Sequence, residues 1–209
     1  MADRESRKNQ IITKRQDQIL KAALDTFAQE GYTSATIPEI AKSAGVAVGT
    51  IYIYYPNKRE LFISVIENLL ITPLLNMFEK EPWNEFPSTV KEALHNRLQI
   101  LQSDLLSKLL VLIGEIKRDP ELKTLFSQNL LQPFFVKMER MFRSRINPGE
   151  FRRIEPAIIV RLIGSMIIGI ILIKDLEGSS SPLNLVSQEK LADEIMDFIF
   201  HGIMSGEGD

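Results

Sequence analysis

The chain has 209 residues, 44% of them hydrophobic and 25% charged, with a formal net charge of −2. That is an ordinary globular balance, sized for one large domain or two small ones. Cysteine is absent, which excludes a disulfide framework and a thiolate metal site. The charge is uneven: residues 1–60 hold nine Lys/Arg against seven Asp/Glu, and residues 61–209 hold sixteen against twenty. A mildly basic front therefore precedes an acidic body, which suits a polyanionic partner for the front.

The opening MADRESRKNQ is polar with no apolar run behind it, so no secretory signal is expected and the chain reads as cytoplasmic. Residues 1–12 are expected to form a flexible arm with Arg4, Arg7 and Lys8, and Lys14 and Arg15 follow directly. Such an arm is either a solvated terminus or a phosphate-binding one. Thr13 with Gln16 has the spacing of a capping box, and Ile19, Ala23, Leu24 and Phe27 follow at helical spacing until Gly31 supplies a stop. Thr36-Ile-Pro-Glu39 repeats the capping pattern, with Pro38 in the first turn where its missing N–H costs nothing, and this short helix closes at Gly45.

Residues 45–58, GVAVGTIYIYYPNK, read as a strand by propensity. A lone strand in an otherwise helical chain would leave its backbone groups unpaired. The segment is therefore expected to form a turn and a second short helix at about 47–54, giving a helix-turn-helix whose second helix fits the major groove of DNA. Asn57 with Glu60 starts the next helix, through Leu61, Phe62, Val65, Ile66 and Leu69. Thr89 with Glu92 opens another. Asp119-Pro120-Glu121 opens a long helix running to about Arg145, and Glu155-Pro156 opens an apolar one. After the polar loop EGSSSPLN, Ser187 caps a last helix containing Leu191, Ile195, Phe198 and Ile199. The fold is expected to be all-α, with about nine helices and no internal repeat.

Residues 157–173, AIIVRLIGSMIIGIILI, are apolar apart from Arg161. They fall short of the roughly 20 residues that span a bilayer, and an internal Arg is costly there. A helix buried in a core or a subunit interface is expected, with no membrane partner.

The segment TIPEIAKSAGVAVGTIYIYYPNKRELF, residues 36–62, resembles the signature of the TetR/AcrR family of transcriptional regulators. Ile40-Ala41, Ala44-Gly45-Val46, Gly49-Thr50, Ile51-Tyr52, Tyr54-Tyr55, and Lys58 with Leu61 fill the family's places, and ILKAALDTFAQEGYTSAT upstream is similar to its first helix and glycine turn. The resemblance implies a DNA-binding domain over 13–73, with the helix-turn-helix at 36–55, and a helical ligand-binding and dimerisation domain over 74–209. It implies a homodimer on a double-stranded, palindromic DNA operator, with a hydrophobic small-molecule effector and no cofactor. The expected behaviour is that of a repressor released by the effector, with an activator or corepressor-dependent regulator using the same parts.

Position by position, the resemblance gives Thr36 a phosphate contact alongside its N-cap role. It gives Gly49 a close backbone approach to DNA, Thr50 a base or phosphate contact, and the hydroxyls of Tyr52 and Tyr54 phosphate contacts. Lys58 adds charge at a helix N-terminus. Tyr55 and Ile51 are expected in the core. Two positions depart from the family pattern: Ala47 cannot cap as Ser or Thr would, and Val48 stands where a polar or basic residue is common. The reading surface of Val48, Gly49, Thr50 and Ile53 thus lacks any side chain for bidentate base recognition. Readout is expected through thymine methyls and DNA shape, with the backbone clamped by Tyr and Lys.

In the body, the resemblance points to a cavity lined by residues such as Leu70, Leu74, Phe78, Leu98, Ile113, Phe134 and Met138, with His95 and Gln102 as polar members. A dimer surface is expected from Arg161, Gly164, Ser165, Ile168 and Leu172 on one helix and Ile195 and Phe198 on the last, paired as a four-helix bundle. The rival class is an enzyme, because Glu92-x-x-His95 has the spacing of di-metal bundle sites. Such sites need a second Glu-x-x-His, whereas the only histidines are His95 and His201, and Glu92 is explained as a capping residue. No metal is therefore expected.

Overall fold

The computed structural model describes the backbone of residues 2–72, 75, 91, 104–146 and 152–203. Every element among these residues is helical, and no strand occurs among them. The chain divides into two compact units, Met1–Pro73 with Leu106–Leu130 and Leu74–Leu105 with Leu131–Asp209.

In the first unit, α1 spans Ala2–Ser34. The helix does not start at Thr13 but eleven residues earlier, so the expected flexible arm is helical backbone. The run from Ala2 to Glu30 contains no Gly or Pro and is rich in Arg, Lys, Gln and Glu, so nothing in it stops a helix from propagating upstream. Gly31, at φ 79 and ψ 162, breaks the helical path as expected. α2 spans Ile37–Ala44 and carries the complete capping box, with the Thr36 N–H donating to Glu39 Oε2 at 3.0 Å and the Glu39 N–H to Thr36 Oγ1 at 3.4 Å. Gly45 closes it at φ 65, and Val46 N–H returns to the Ala41 carbonyl at 2.9 Å.

α3 spans Val48–Tyr54, so the strand propensity of this segment yields to helix. Its Ala47 N-cap makes no side-chain hydrogen bond, and Tyr55 turns extended while its N–H still reaches the Ile51 carbonyl at 2.8 Å. α4, Lys58–Ile66, starts at Asn57, whose Oδ1 accepts the Glu60 N–H at 2.9 Å, and it passes into a π-helical turn over Glu67–Ile71.

What holds these short helices is one apolar core. Ile19 and Phe27 of α1, Ile40 of α2, Ile51 of α3 and Leu61, Phe62 and Ile66 of α4 are all fully buried. The rings of Phe27, Tyr32 and Phe62 form a cluster, with Phe62 edge-on to Phe27 at 5.1 Å and to Tyr32 at 5.0 Å. α5, Leu105–Arg118, and α6, Pro120–Leu125, add Leu112, Ile116 and Leu122 to the same core. Segment 106–130, read from sequence as part of the body, thus packs with the N-terminal helices. Asp119 caps α6, accepting from Glu121 and Leu122 N–H at 2.8 and 3.1 Å. Lys108–Asp25 at 2.8 Å joins α5 to α1, and Arg59 pairs with Glu121.

The helix expected to run unbroken to Arg145 instead passes through a π-helical turn at Phe126–Leu131, and in the second unit α7 spans Gln132–Ile146. α8 spans Pro156–Glu177 and α9 spans Gln188–Ile203, with Ser187 Oγ accepting the Lys190 N–H at 3.2 Å as its predicted cap. The interior comprises Met138 and Phe142 of α7, Val160 and Ile171 of α8, and Leu191, Ile195, Met196 and Ile199 of α9. Arg161 Nη1 donates to Glu139 Oε1 at 2.8 Å while its guanidinium lies over Phe135 at 4.3 Å.

α8 is longer than the apolar run suggested. Pro156–Ser180 is long and apolar enough to cross a membrane by length and composition, and little of it is buried within the chain. Ile158, Leu162, Ile168, Ile173 and Leu176 are each more than half exposed. Burial was expected in a core or a subunit interface; one flank of α8 is buried within its own unit, and the other is an exposed apolar stripe.

The ring cluster predicts that Phe62→Ala destabilises the first unit by about 3–5 kcal/mol. Urea unfolding of wild type and variant, followed by helical circular dichroism, reads this out; a shift under 1 kcal/mol, on the order of a surface change, would contradict it.

Candidate nucleic-acid interface

The short helix α3 has two faces set by its core anchors. Ile51 is fully buried, and Tyr55, just after the helix, is 6% exposed. On the other side Val48, Gly49, Tyr52 and Ile53 recur at i, i+1, i+4 and i+5 and share one face. Val48 is 38% exposed, Tyr52 50% and Ile53 78%. This exposed, partly apolar face of α3 is the candidate contact surface.

The predicted DNA-contacting residues fall as follows. Ala47, Val48, Gly49 and Tyr52 are exposed together at the start and outer face of α3; Thr50 and Tyr54 are half-buried on its flanks. Ala47 offers the first N–H groups of α3 no side-chain acceptor, and its carbonyl accepts the Thr50 N–H at 2.9 Å. Thr36 is exposed at the N-terminus of α2, with its hydroxyl engaged by the Glu39 carboxylate. Ile53, expected on the reading surface though it carries no hydrogen-bonding group, is the most exposed apolar residue of α3.

Lys58 is placed differently from a simple phosphate ligand. Its Nζ donates to the carbonyls of Ala35 at 2.9 Å and Thr33 at 3.2 Å and lies 4.6 Å from the centre of the Tyr32 ring. The ammonium thus satisfies the backbone between α1 and α2 and ties that connection to the first turn of α4. Burial, aided by neighbouring Arg59, holds its pKa below the ordinary lysine value. The sequence shows a Lys at a helix start but gives no sign of the carbonyls it meets, which lie more than twenty residues upstream.

Tyr55 sits in the core as expected. Burial, and then the charge of Asp17 on α1, push its hydroxyl up to about 12. Tyr32 is also raised, chiefly by burial.

The proposed cavity residues are divided between the two units and the residues outside the description. Leu70 and Ile113 lie in the first unit, Phe134 and Met138 in the second. Leu74, Phe78, His95, Leu98, Gln102 and the candidate metal residue Glu92 lie outside the described residues. Of the proposed dimer residues, Arg161, Ser165, Ile168 and Phe198 are exposed, Gly164 and Leu172 are partly so, and Ile195 belongs to the interior of its own unit.

Residues 19–65 match the family model described as bacterial regulatory proteins, tetR family. The chain is 46% identical over 50 residues to the fatty acid metabolism regulator protein of Bacillus subtilis (strain 168), covering 24% of this chain and 26% of that one. It is 34% identical over 129 residues to the HTH-type transcriptional regulator YhgD of the same organism, covering 61% of this chain and 63% of that one. The chain thus spans about a quarter of the length of the first relative and under two thirds of the second. A crystal structure of the regulator FadR from Bacillus subtilis in complex with stearoyl-CoA shares the fold at a TM-score of 0.60 and 21% identity, covering 88% of this chain and 97% of that one.

The placements of Lys58 and Tyr55 are both open to measurement. Lys58→Met removes the ammonium from the two carbonyls and is expected to destabilise the first unit by about 1 kcal/mol; equal unfolding midpoints for the two proteins would show that the tie contributes nothing. Tyr55 ionises near pH 10 when unfolded and near 12 when folded, so the unfolded state releases its proton first and stability falls as pH rises between them. Alkaline unfolding of Tyr55→Phe should be correspondingly shallower across that window, measured against wild type by circular dichroism.

Proposed function

We propose that this chain, whose residues 19–65 match the model of the tetR family of bacterial regulatory proteins, is a cytoplasmic, homodimeric transcriptional repressor rather than an enzyme. It binds a palindromic DNA operator and releases it when a hydrophobic small molecule occupies the C-terminal domain. The observation that carries this reading is the exposed face of Val48, Gly49, Tyr52 and Ile53 on a helix anchored by Ile51 and Tyr55. Presented in a major groove, that face offers methyl groups to thymines and backbone to phosphates.

The exposed stripe of α8 supports the dimer. Ile158, Leu162, Ser165 and Ile168 recur at helical spacing, and Gly164 and Ser165 allow a close approach by a second copy. Two recognition helices about one helical turn apart (~34–36 Å) then meet successive major grooves. The effector class to test first is a long-chain acyl-CoA. The body is rich in large apolar side chains, and a structure sharing this fold holds stearoyl-CoA. For a nearly complete switch such an effector must prefer the DNA-free form by about 5.5 kcal/mol.

Selection from a pool of randomised duplexes should enrich an inverted repeat with half-sites one turn apart. On the recovered duplex, Thr50→Ala should bind at least about tenfold more weakly, a loss of roughly 1.4 kcal/mol, and stearoyl-CoA should displace wild type. No enrichment, or a guanine preference abolished by Val48→Ala, would sink this mode of readout. Release by none of a series of acyl-CoA chain lengths would remove that effector class while leaving the DNA reading intact.

A further inference from the structure

The start of α2 is closed by the chain's own groups. Thr36 gives both of its donors, the backbone N–H and the hydroxyl, to one carboxylate oxygen, Oε2 of Glu39. The Glu39 N–H turns back to Thr36 Oγ1, and the Ile40 N–H donates to the Thr36 carbonyl at 3.1 Å. Pro38 has no N–H to offer. Of the donors that a helix start presents to an anion, these bonds leave the Ile37 N–H. The phosphate contact that the resemblance gives Thr36 therefore meets an obstacle. Its one hydroxyl hydrogen is already on a carboxylate, and a phosphate oxygen would have to displace Glu39 from the cap.

Glu39 is exposed, and among the described residues no Lys or Arg forms an ion pair with it. The fold gains from a charge at this place, since a carboxylate in the first turn complements the helix dipole. The same place adjoins the candidate DNA surface. α3 ends at Tyr54, and four residues later the Lys58 Nζ is bonded to the carbonyl of Ala35, the residue before Thr36. The start of α2 is thereby tied next to the end of α3, where Ile53 is 78% exposed. Lys58 is not free to answer the carboxylate, because its ammonium is held by the carbonyls of Thr33 and Ala35 and the ring of Tyr32.

We propose that Glu39 limits the DNA affinity of this surface: its carboxylate repels the phosphates that pass the start of α2, and Thr36 serves the fold instead of the DNA backbone. The inference rests on the DNA-binding function proposed above. Much of any protein's hold on a duplex is sequence-independent attraction to its phosphates. A fixed anion beside the reading helix subtracts from that attraction and leaves the match made by the exposed face of α3 as the larger share of binding.

The test compares full-length wild type with Glu39→Gln and Glu39→Asp on two duplexes, the one recovered by selection and a scrambled one of equal length. Gln also completes a capping box, so Glu39→Gln keeps the cap and removes the charge. It should bind both duplexes about threefold more tightly, the scale of one exposed charge pair. The gain should shrink as salt is raised, because screening weakens the repulsion that the variant removes. Glu39→Asp keeps the charge on a shorter side chain and should show no gain. Helical circular dichroism and titration at stoichiometric concentration correct each affinity for the folded, active fraction. Equal affinities for wild type and Glu39→Gln, or weaker binding by the variant, would overturn the proposal. So would a gain by Glu39→Asp matching that of Glu39→Gln, which would place the effect in the cap and not in the charge. Failure of wild type to bind either duplex would instead overturn the DNA reading itself.

Discussion

The position of α4 is the constraint on which the first unit depends. Its Phe62 ring is gripped edge-on by Phe27 and Tyr32 of α1. The other side of that arrangement is polar: Lys58, one turn earlier on α4, lies over Tyr32 and holds two carbonyls of the segment leading into α2. Tyr32 therefore serves both an apolar and a cationic neighbour. Any tilt of α4 would disturb the ring cluster and the carbonyl tie together, so the start of α2, and α3 behind it, follows the first turn of α4. The two Phe rings, Phe27 and Phe62, are wholly out of water, and each contributes on the order of 2–3 kcal/mol through burial alone.

Much of this was legible in the sequence because it is written in short-range chemistry. The capping box at Thr36, the left-handed Gly45 and the caps at Asn57, Asp119 and Ser187 each need only neighbouring residues, and each appears in the structure. The segment Val48–Tyr54 shows the opposite situation. Local propensity favours a strand, and helix wins because Ile51 and Tyr55 then reach a core shared with α1 and α4. The pattern of the surrounding family signature, and the lack of any partner strand, carried that reading.

Other features were not legible, for physical reasons. Helix propagation upstream of Thr13 is invisible to a search for caps, since an internal Thr and a capping Thr have the same neighbours. The placement of segment 106–130 beside α1 and α4 depends on Leu112 and Leu122 meeting residues far away in sequence. Lys58's acceptors are backbone carbonyls, which every residue has and no residue type reveals. The apolar run of α8 announced burial but not by what, and the structure leaves half of that surface facing outward.

The division of α3 into an inner and an outer face has a further consequence, one of inheritance. Residues 48, 49, 52 and 53 lie on the side away from the anchors that make the helix, so substitutions there fall in the class that usually changes stability by less than about 0.5 kcal/mol. The surface can then be rewritten, by a longer or a charged side chain, while the scaffold beneath it stays the same. A descendant of this chain would change what it reads through a few exposed positions, and its ancestry would remain recorded in Ile51, Tyr55 and Phe62.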